Sequence, residues 1–108
     1  MPINPGDLRQ RVTLQSKVRT PDGGGGGAEA WVDGKTVWAE VMPLDGRELV
    51  QAMQVHPSVS HRVTIRYRAG VSSAMRALYA GRVLDIRSVV DRDERHEALQ
   101  LLCVEGDA

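Results

Sequence analysis

The sequence predicts a mainly β protein, a small antiparallel β-barrel of about six strands with one short α-helix. Three observations carry that expectation. Val63, Ile65 and Tyr67 alternate with Arg62, Thr64, Arg66 and Arg68, and such period-two alternation marks a strand wet on one face, as in an antiparallel sheet. Similar short runs recur between turn signals at Pro21-Asp22, Asp33-Gly34, Gly70 and Ala80-Gly81, the rhythm of a barrel or sandwich. Helical periodicity appears in one stretch, after Asp45.

Taken in order, Pro2 and Pro5-Gly6 break regular structure at the start. Leu8 to Lys17 reads as the first strand, with Leu8, Val12 and Leu14 on one face and Arg9, Arg11, Thr13, Gln15 and Lys17 on the other. Arg19 to Ala30 contains five consecutive glycines, Gly23 to Gly27. The backbone entropy of that run opposes a fixed shape, so a flexible loop is expected over 19–30. Asp33-Gly34 reads as a turn. Thr36 to Leu44 reads as the second strand, apolar on both sides (Val37, Ala39 and Val41 against Trp38, Met42 and Leu44), with Pro43 ending it or placing it at an edge.

Asp45 is placed to cap a helix over about 45–55, with Glu48 three residues on as in a capping box. Leu49, Val50, Ala52 and Met53 supply its apolar side, and Pro57 stops it. The alternating stretch follows at about Ser60 to Arg68. Met75 to Ala80 and Arg82 to Val90 flank a hairpin turn at Ala80-Gly81. Val89 is out of phase with Ile86, which predicts a bulge. Asp91 to His96 is a charged turn, and Glu97 to Val104 is the last strand, with Leu99, Leu101 and Cys103 facing one way.

The 108 residues are expected to form a single domain spanning 1–108. Fourteen basic and fourteen acidic side chains cancel, so overall charge draws the chain toward neither nucleic acid nor membrane. No apolar run approaches the roughly 20 residues that span a bilayer. The N-terminal residues lack the basic and apolar regions of a signal peptide, and a lone cysteine, Cys103, fits a cytosolic protein. Two tryptophans, two tyrosines and no phenylalanine make a thin core, which neighbours in an assembly would reinforce.

No catalytic, cofactor-binding or metal-binding set emerges. Gly34-Lys35-Thr36 imitates the end of a phosphate-binding loop, but Glu29 stands where that loop needs a glycine, and strand rather than helix follows; a hairpin turn is the favoured reading. His56, His61, His96 and Cys103 lack zinc-site spacing. Ser58 or Ser60 with His61 could be drawn as a nucleophile pair, without the glycine-flanked elbow that would expose it. Two features keep two readings each. Arg9, Arg11, Arg62, Arg66 and Arg68 form either a solvated face or a contact for a polyanion or an acidic partner. The glycine loop is either a tolerated insertion or a probe that orders against a partner.

In order and spacing the chain resembles the small head–tail joining proteins of tailed bacteriophages, also called head–tail adaptor, head-closure or stopper proteins. The resemblance runs through Gly6-Asp7-Leu8-Arg9-Gln10-Arg11-Val12, the glycine loop before Trp31, Val37-Trp38-Ala39-Glu40-Val41-Met42-Pro43-Leu44 with Glu48 opening a helix, Val63 to Arg68, the Gly81 to Val89 hairpin and Arg95 to Glu105. Leu84 stands where an aromatic is more usual. The resemblance implies a small β-barrel with a short helix and a structural, non-enzymatic role without cofactor. It implies a homo-oligomeric ring, six-fold rather than twelve-fold, in the virion's head–tail connector. That ring closes the DNA channel below the portal, meets an adaptor above and a tail protein below, and assembles in the bacterial cytoplasm. It places Arg19, Asp22, Gly23, Gly24, Gly25, Gly26, Gly27 and Glu29 on a loop toward the channel. Arg9, Arg11, Arg62, Arg66 and Arg68 are the interface candidates. A nucleic-acid-binding barrel is the alternative from another class; a tail-completion or terminator protein is the alternative within the same particle.

Overall fold

Six strands close into an antiparallel barrel because each carries one apolar face that only a closed sheet can bury without leaving an edge. The computed structural model describes residues 5–21, 23–24, 27–91, 94 and 96–106. After a short 3-10 turn (Pro5–Asp7) come β1 (Gln10–Pro21), β2 (Gly27–Pro43), α1 (Gly46–Met53), β3 (His61–Arg66), β4 (Arg76–Tyr79), β5 (Arg82–Asp91) and β6 (Ala98–Gly106). The order around the barrel is β1-β2-β3-β6-β5-β4, closed by pairing of β4 with β1.

The alternation read from the sequence fills the interior. Val12 and Leu14 from β1, Ala39 and Val41 from β2, Val63 and Ile65 from β3, Leu84 and Ile86 from β5, and Leu99, Leu101 and Cys103 from β6 form one buried cluster. The β4–β5 hairpin turns at Ala80 and Gly81, both at positive φ (51° and 80°), as a two-residue primed turn requires. The bulge predicted from Val89 is present. Register shifts between Ile86 and Ser88, and Val89 then packs against the core.

The region expected as a 19–30 loop is mostly strand. Arg19 pairs with Glu29, Thr20 with Ala28 and Pro21 with Gly27, so β1 and β2 run on as a two-stranded ribbon. Asp22, Gly25 and Gly26 lie outside the described residues. Beyond Gln15 the ribbon pairs with no further strand, since β1 meets β4 at Thr13 to Gln15 and β2 meets β3 at Ala39 to Pro43, although Arg76 and the 70–75 segment lie beside its root. From Ser16 to Pro21 it spans about 20 Å at roughly 3.3 Å per residue, and the molecule measures 50 × 27 × 27 Å. The strands take the flanks of the expected loop, and of the described glycines Gly27 is paired while Gly23 and Gly24 stay outside the strands.

Asp33-Gly34, expected as a turn, sits inside β2. Thr13 pairs with Thr36 but Gln15 pairs with Asp33, so Gly34 and Lys35 together oppose Leu14 as a β-bulge. A Cβ on Gly34 would come within 2.9 Å of the Leu14 carbonyl oxygen, which accounts for glycine there. The bulge shifts β2 by one residue relative to its inward face. Val37, Ala39 and Val41 point toward the barrel interior after it, and Val32 and Ala30 lie on the same side before it.

Helix α1 lies where expected, with Asp45 and Gln54 at its ends, but no capping box forms. Asp45 occupies the N-cap in an extended conformation without a side-chain capping bond, and the Glu48 carboxylate is taken by Arg62, 2.5 Å away. Glu48 and Arg62 thus tie the helix to β3.

Candidate partner interface

The five arginines expected as one basic stripe divide into two groups. Arg62 is half-buried and ion-paired with Glu48 at 2.5 Å and Glu40 at 3.8 Å. Its Nε is the buried side-chain polar atom without a partner among the described residues. Arg62 therefore anchors α1 and does not belong to a free face.

The remaining four lie toward one side, on or beside the first three strands. The Arg11 guanidinium lies over the Trp38 ring, 4.7 Å from its centroid, because Arg11 and Trp38 are register partners on β1 and β2. Trp38 is 52% exposed and shares a surface hollow with Arg66, Tyr67 and Arg68. Arg9 precedes the ladder, its Nε donating to the Gly6 carbonyl at 2.8 Å. Tyr67, expected on the apolar side with Val63 and Ile65, is half out of the barrel and stacks on His96 at 4.3 Å and 11°. Tyr67 continues the β3–β6 register past Arg66, its amide donating to the Glu97 carbonyl, but it stands at the end of the barrel, where His96 lies against its ring. The wet face also loses Thr64, which is buried. An arginine–aromatic surface results, of a type enriched at protein interfaces.

The ribbon is the second surface, and its two sides differ. On one side Lys17 and Trp31 are register partners; Lys17 lies 5.2 Å and Arg76 4.2 Å from the Trp31 ring centroid, and Lys17 pairs with Glu29 at 3.4 Å. Gln15, expected on the wet face, is buried there. Its amide donates to Asp33 Oδ1 at 2.5 Å and its Oε1 accepts from Arg76 Nε at 2.7 Å. This clasp fixes the ribbon's root. The other side carries Ser16, Val18, Ala28, Ala30 and Val32. Val18 is 44% and Val32 48% exposed, and Arg19, Gly23, Gly24, Gly27 and Glu29 are exposed toward the outer end. This apolar side escaped the sequence reading, although Ala28, Ala30 and Val32 alternate beyond the glycines as Ser16 and Val18 do before them.

Ser60 and His61 are brought together, with Ser60 Oγ 2.7 Å from His61 Nδ1. The far nitrogen, Nε2, faces the Arg82 guanidinium at 3.1 Å. Arginine can only donate, so Nε2 accepts and the proton sits on Nδ1, pointing at the serine. Ser60 Oγ also accepts the Glu105 amide at 3.0 Å, and Arg82 is held by Glu105 at 2.6 Å. An imidazole protonated toward the serine cannot take the serine's proton, so this cluster is a cross-strand tie in geometry, unlike a nucleophile with its base. Burial first, and then Arg82, push the His61 pKa below its ordinary value, against a smaller opposing pull from Glu105. Cys103 is buried, its thiol pushed up to about 12 by desolvation and by Asp85.

The chain is thus a closed six-stranded barrel with a projecting two-stranded arm and an exposed arginine–aromatic face. Residues 3–106 match the phage head completion protein family, and the chain belongs to that family. It is 28% identical over 109 residues to head completion protein gp7 of Enterobacteria phage HK97, covering 96% of this chain and 97% of that one. It is 30% identical over 73 residues to head completion protein gp16 of Bacillus phage SPP1, covering 68% and 67%. Among solved structures, protein SF1141 from Shigella flexneri 2a superposes with a TM-score of 0.82 at 33% identity, covering 96% and 97%. A chain in the virion of a native gene transfer agent particle superposes with a TM-score of 0.64 at 22% identity, covering 94% and 97%, a likeness of fold.

Proposed function

We propose that this protein is a structural component of the head–tail connector of a phage, prophage or gene transfer agent particle. In this reading copies of the chain form a ring, six-fold rather than twelve-fold, beneath the portal and its adaptor. The ring closes the DNA channel and offers the tail its attachment surface; it assembles in the bacterial cytoplasm and performs no catalysis. The observation that carries it is membership of the head completion family along residues 3–106, a span that includes the arm as well as the barrel. Physical features agree. A closed barrel presents no free edge, so contacts between copies fall to the arm and to exposed side chains such as Trp38. With a net charge of zero, the ring would let DNA pass without holding it. The arm, with Arg19, Gly23, Gly24, Gly27 and Glu29 toward its outer end, is the part suited to reach a lumen, and Arg9, Arg11, Arg66 and Arg68 are the partner-contact residues.

The test is electron microscopy of particles from a producer strain lacking the gene. Unjoined heads and tails, with DNA lost from the heads, are expected; normal tailed particles would overturn the proposal. A second reading draws on the exposed Trp38 beside Arg11, Arg66 and Arg68, since base stacking on an aromatic ring flanked by cations is how sequence-neutral DNA binders work. That reading requires DNA binding by the isolated protein that falls steeply with salt, whereas a connector component binds weakly or not at all.

A further inference from the structure

The inward side of a barrel strand is normally covered. Here, at Val18 and Val32 on the arm, it is not. Leu14 is buried, and the same side of the ribbon continues through Ser16, Val18, Val32, Ala30 and Ala28 past the barrel rim, where among the described residues no strand pairs over it and Val18 and Val32 stand exposed, the 70–75 segment coming up only to Ser16. The opposite side is occupied by the Lys17–Trp31–Arg76 clasp, so a partner can approach from one direction. A two-stranded ribbon is marginal alone in water, which makes a cover for this side a requirement of its order.

The same chain carries a matching surface elsewhere. Helix α1 buries no residue, and between it and the outer face of β5 and β6 runs a groove of ≈ 480 Å³ lined on its apolar part by Ala52, Val55, Val90 and Leu102. Val55 is 72% and Val90 48% exposed. The charges at the groove, Glu48 and Arg62, are paired with each other, and the apolar side of the arm carries none, so neither surface strips water from an unpaired ion on contact. Charge agrees at the margins. Arg19 near the arm's outer end is exposed, and α1 opens on Asp45, exposed and without a capping bond.

We propose that the apolar side of the arm seats in the α1 groove of a second copy of this chain. The inference rests on the ring reading and deepens it. Arm and groove are different surfaces of one protein, so the contact is head-to-tail, the type that propagates and closes into a ring. The arm face is about 20 Å long and roughly 10 Å across. That is below the roughly 800 Å² per partner of a stable pair, so the seat fills at high local concentration or in the assembled particle.

The experiment uses cysteine pairs, with Cys103 buried and silent. The full chain carrying both Val18→Cys and Val55→Cys is concentrated and oxidised, and the two single variants are mixed and treated alike, with assembly followed in parallel by sedimentation. Expected are a disulfide ladder from the double variant and a heterodimer from the mixture, with at most trace dimer from either single variant. Val32→Asp added to the double variant should reduce the ladder at least tenfold while leaving the thermal transition in place. Assembly in sedimentation without the ladder would overturn the arm seat and leave the ring standing. Dominant Val18→Cys homodimers would overturn it in favour of an arm-to-arm contact. Absence of assembly at every concentration and in purified particles would overturn the ring and the seat together.

Discussion

The Arg11 guanidinium lies 4.7 Å from the centroid of the Trp38 ring, on the outside of the barrel. Neither residue is needed to fill the core, because Val12 and Ala39 beside them do that. An exposed cation–π pair is worth about 0.5–1 kcal/mol, little against the exposure of so large an apolar ring. We therefore expect Trp38→Ala and Arg66→Glu to leave the thermal midpoint within a few degrees of the parent and to lower the yield of tailed particles at least tenfold. Complementation of a gene deletion, with the midpoint measured by calorimetry, checks both halves; normal yields would remove this face from the contact.

Acid should weaken the fold through His61. Its pKa is lowered in the folded state by burial and by Arg82, so folding favours the neutral ring. The stabilisation is complete above the unfolded value of about 6.5 and is lost as pH falls from there through the lowered folded value. The urea midpoint should fall below pH 6.5, and His61→Gln should flatten that dependence while keeping a carbonyl oxygen for Arg82. An unchanged slope in the variant would assign the acid sensitivity elsewhere.

Cys103 should resist thiol reagents. Buried, with its thiol pushed up to about 12, it has almost no thiolate at pH 8. Modification by a disulfide reagent is expected only on the timescale of unfolding, becoming immediate in denaturant. Fast labelling of the native protein would contradict the burial.

Two backbone positions should respond in opposite directions. Ala80 holds a positive φ of 51° in the β4–β5 turn, a conformation that costs an L-residue roughly 1–2 kcal/mol and that asparagine tolerates better. Ala80→Asn, giving Asn-Gly, should raise stability by about 0.5–1 kcal/mol. Gly34→Ala should lower it by about 1–3 kcal/mol, because its Cβ would meet the Leu14 carbonyl at 2.9 Å. Denaturant melts of the two variants, run side by side, decide both.

What the sequence determined by itself was whatever two-residue periodicity and turn chemistry encode locally. That includes the six strands, the inward sets such as Val63 with Ile65 and Leu99 with Leu101, the Ala80-Gly81 hairpin and the bulge at Val89. These signals lie between residues a few positions apart, so they survive without knowledge of the fold. The tertiary structure alone decided what depended on distant pairing. Residues 19–30 read as a loop, yet the flanks of that stretch are strand, with Val18 paired to Ala30 and Arg19 to Glu29. Gln15 read as wet, but Asp33 and Arg76 close over it. Arg62 read as one of five free arginines, and a glutamate fourteen residues earlier took it. Trp38 read as one side of a strand apolar on both, and only barrel closure chose Ala39 for the inside and left the indole in water. A strand's alternation specifies that two faces differ; which face is covered, and by whom, is set by the strands that close around it.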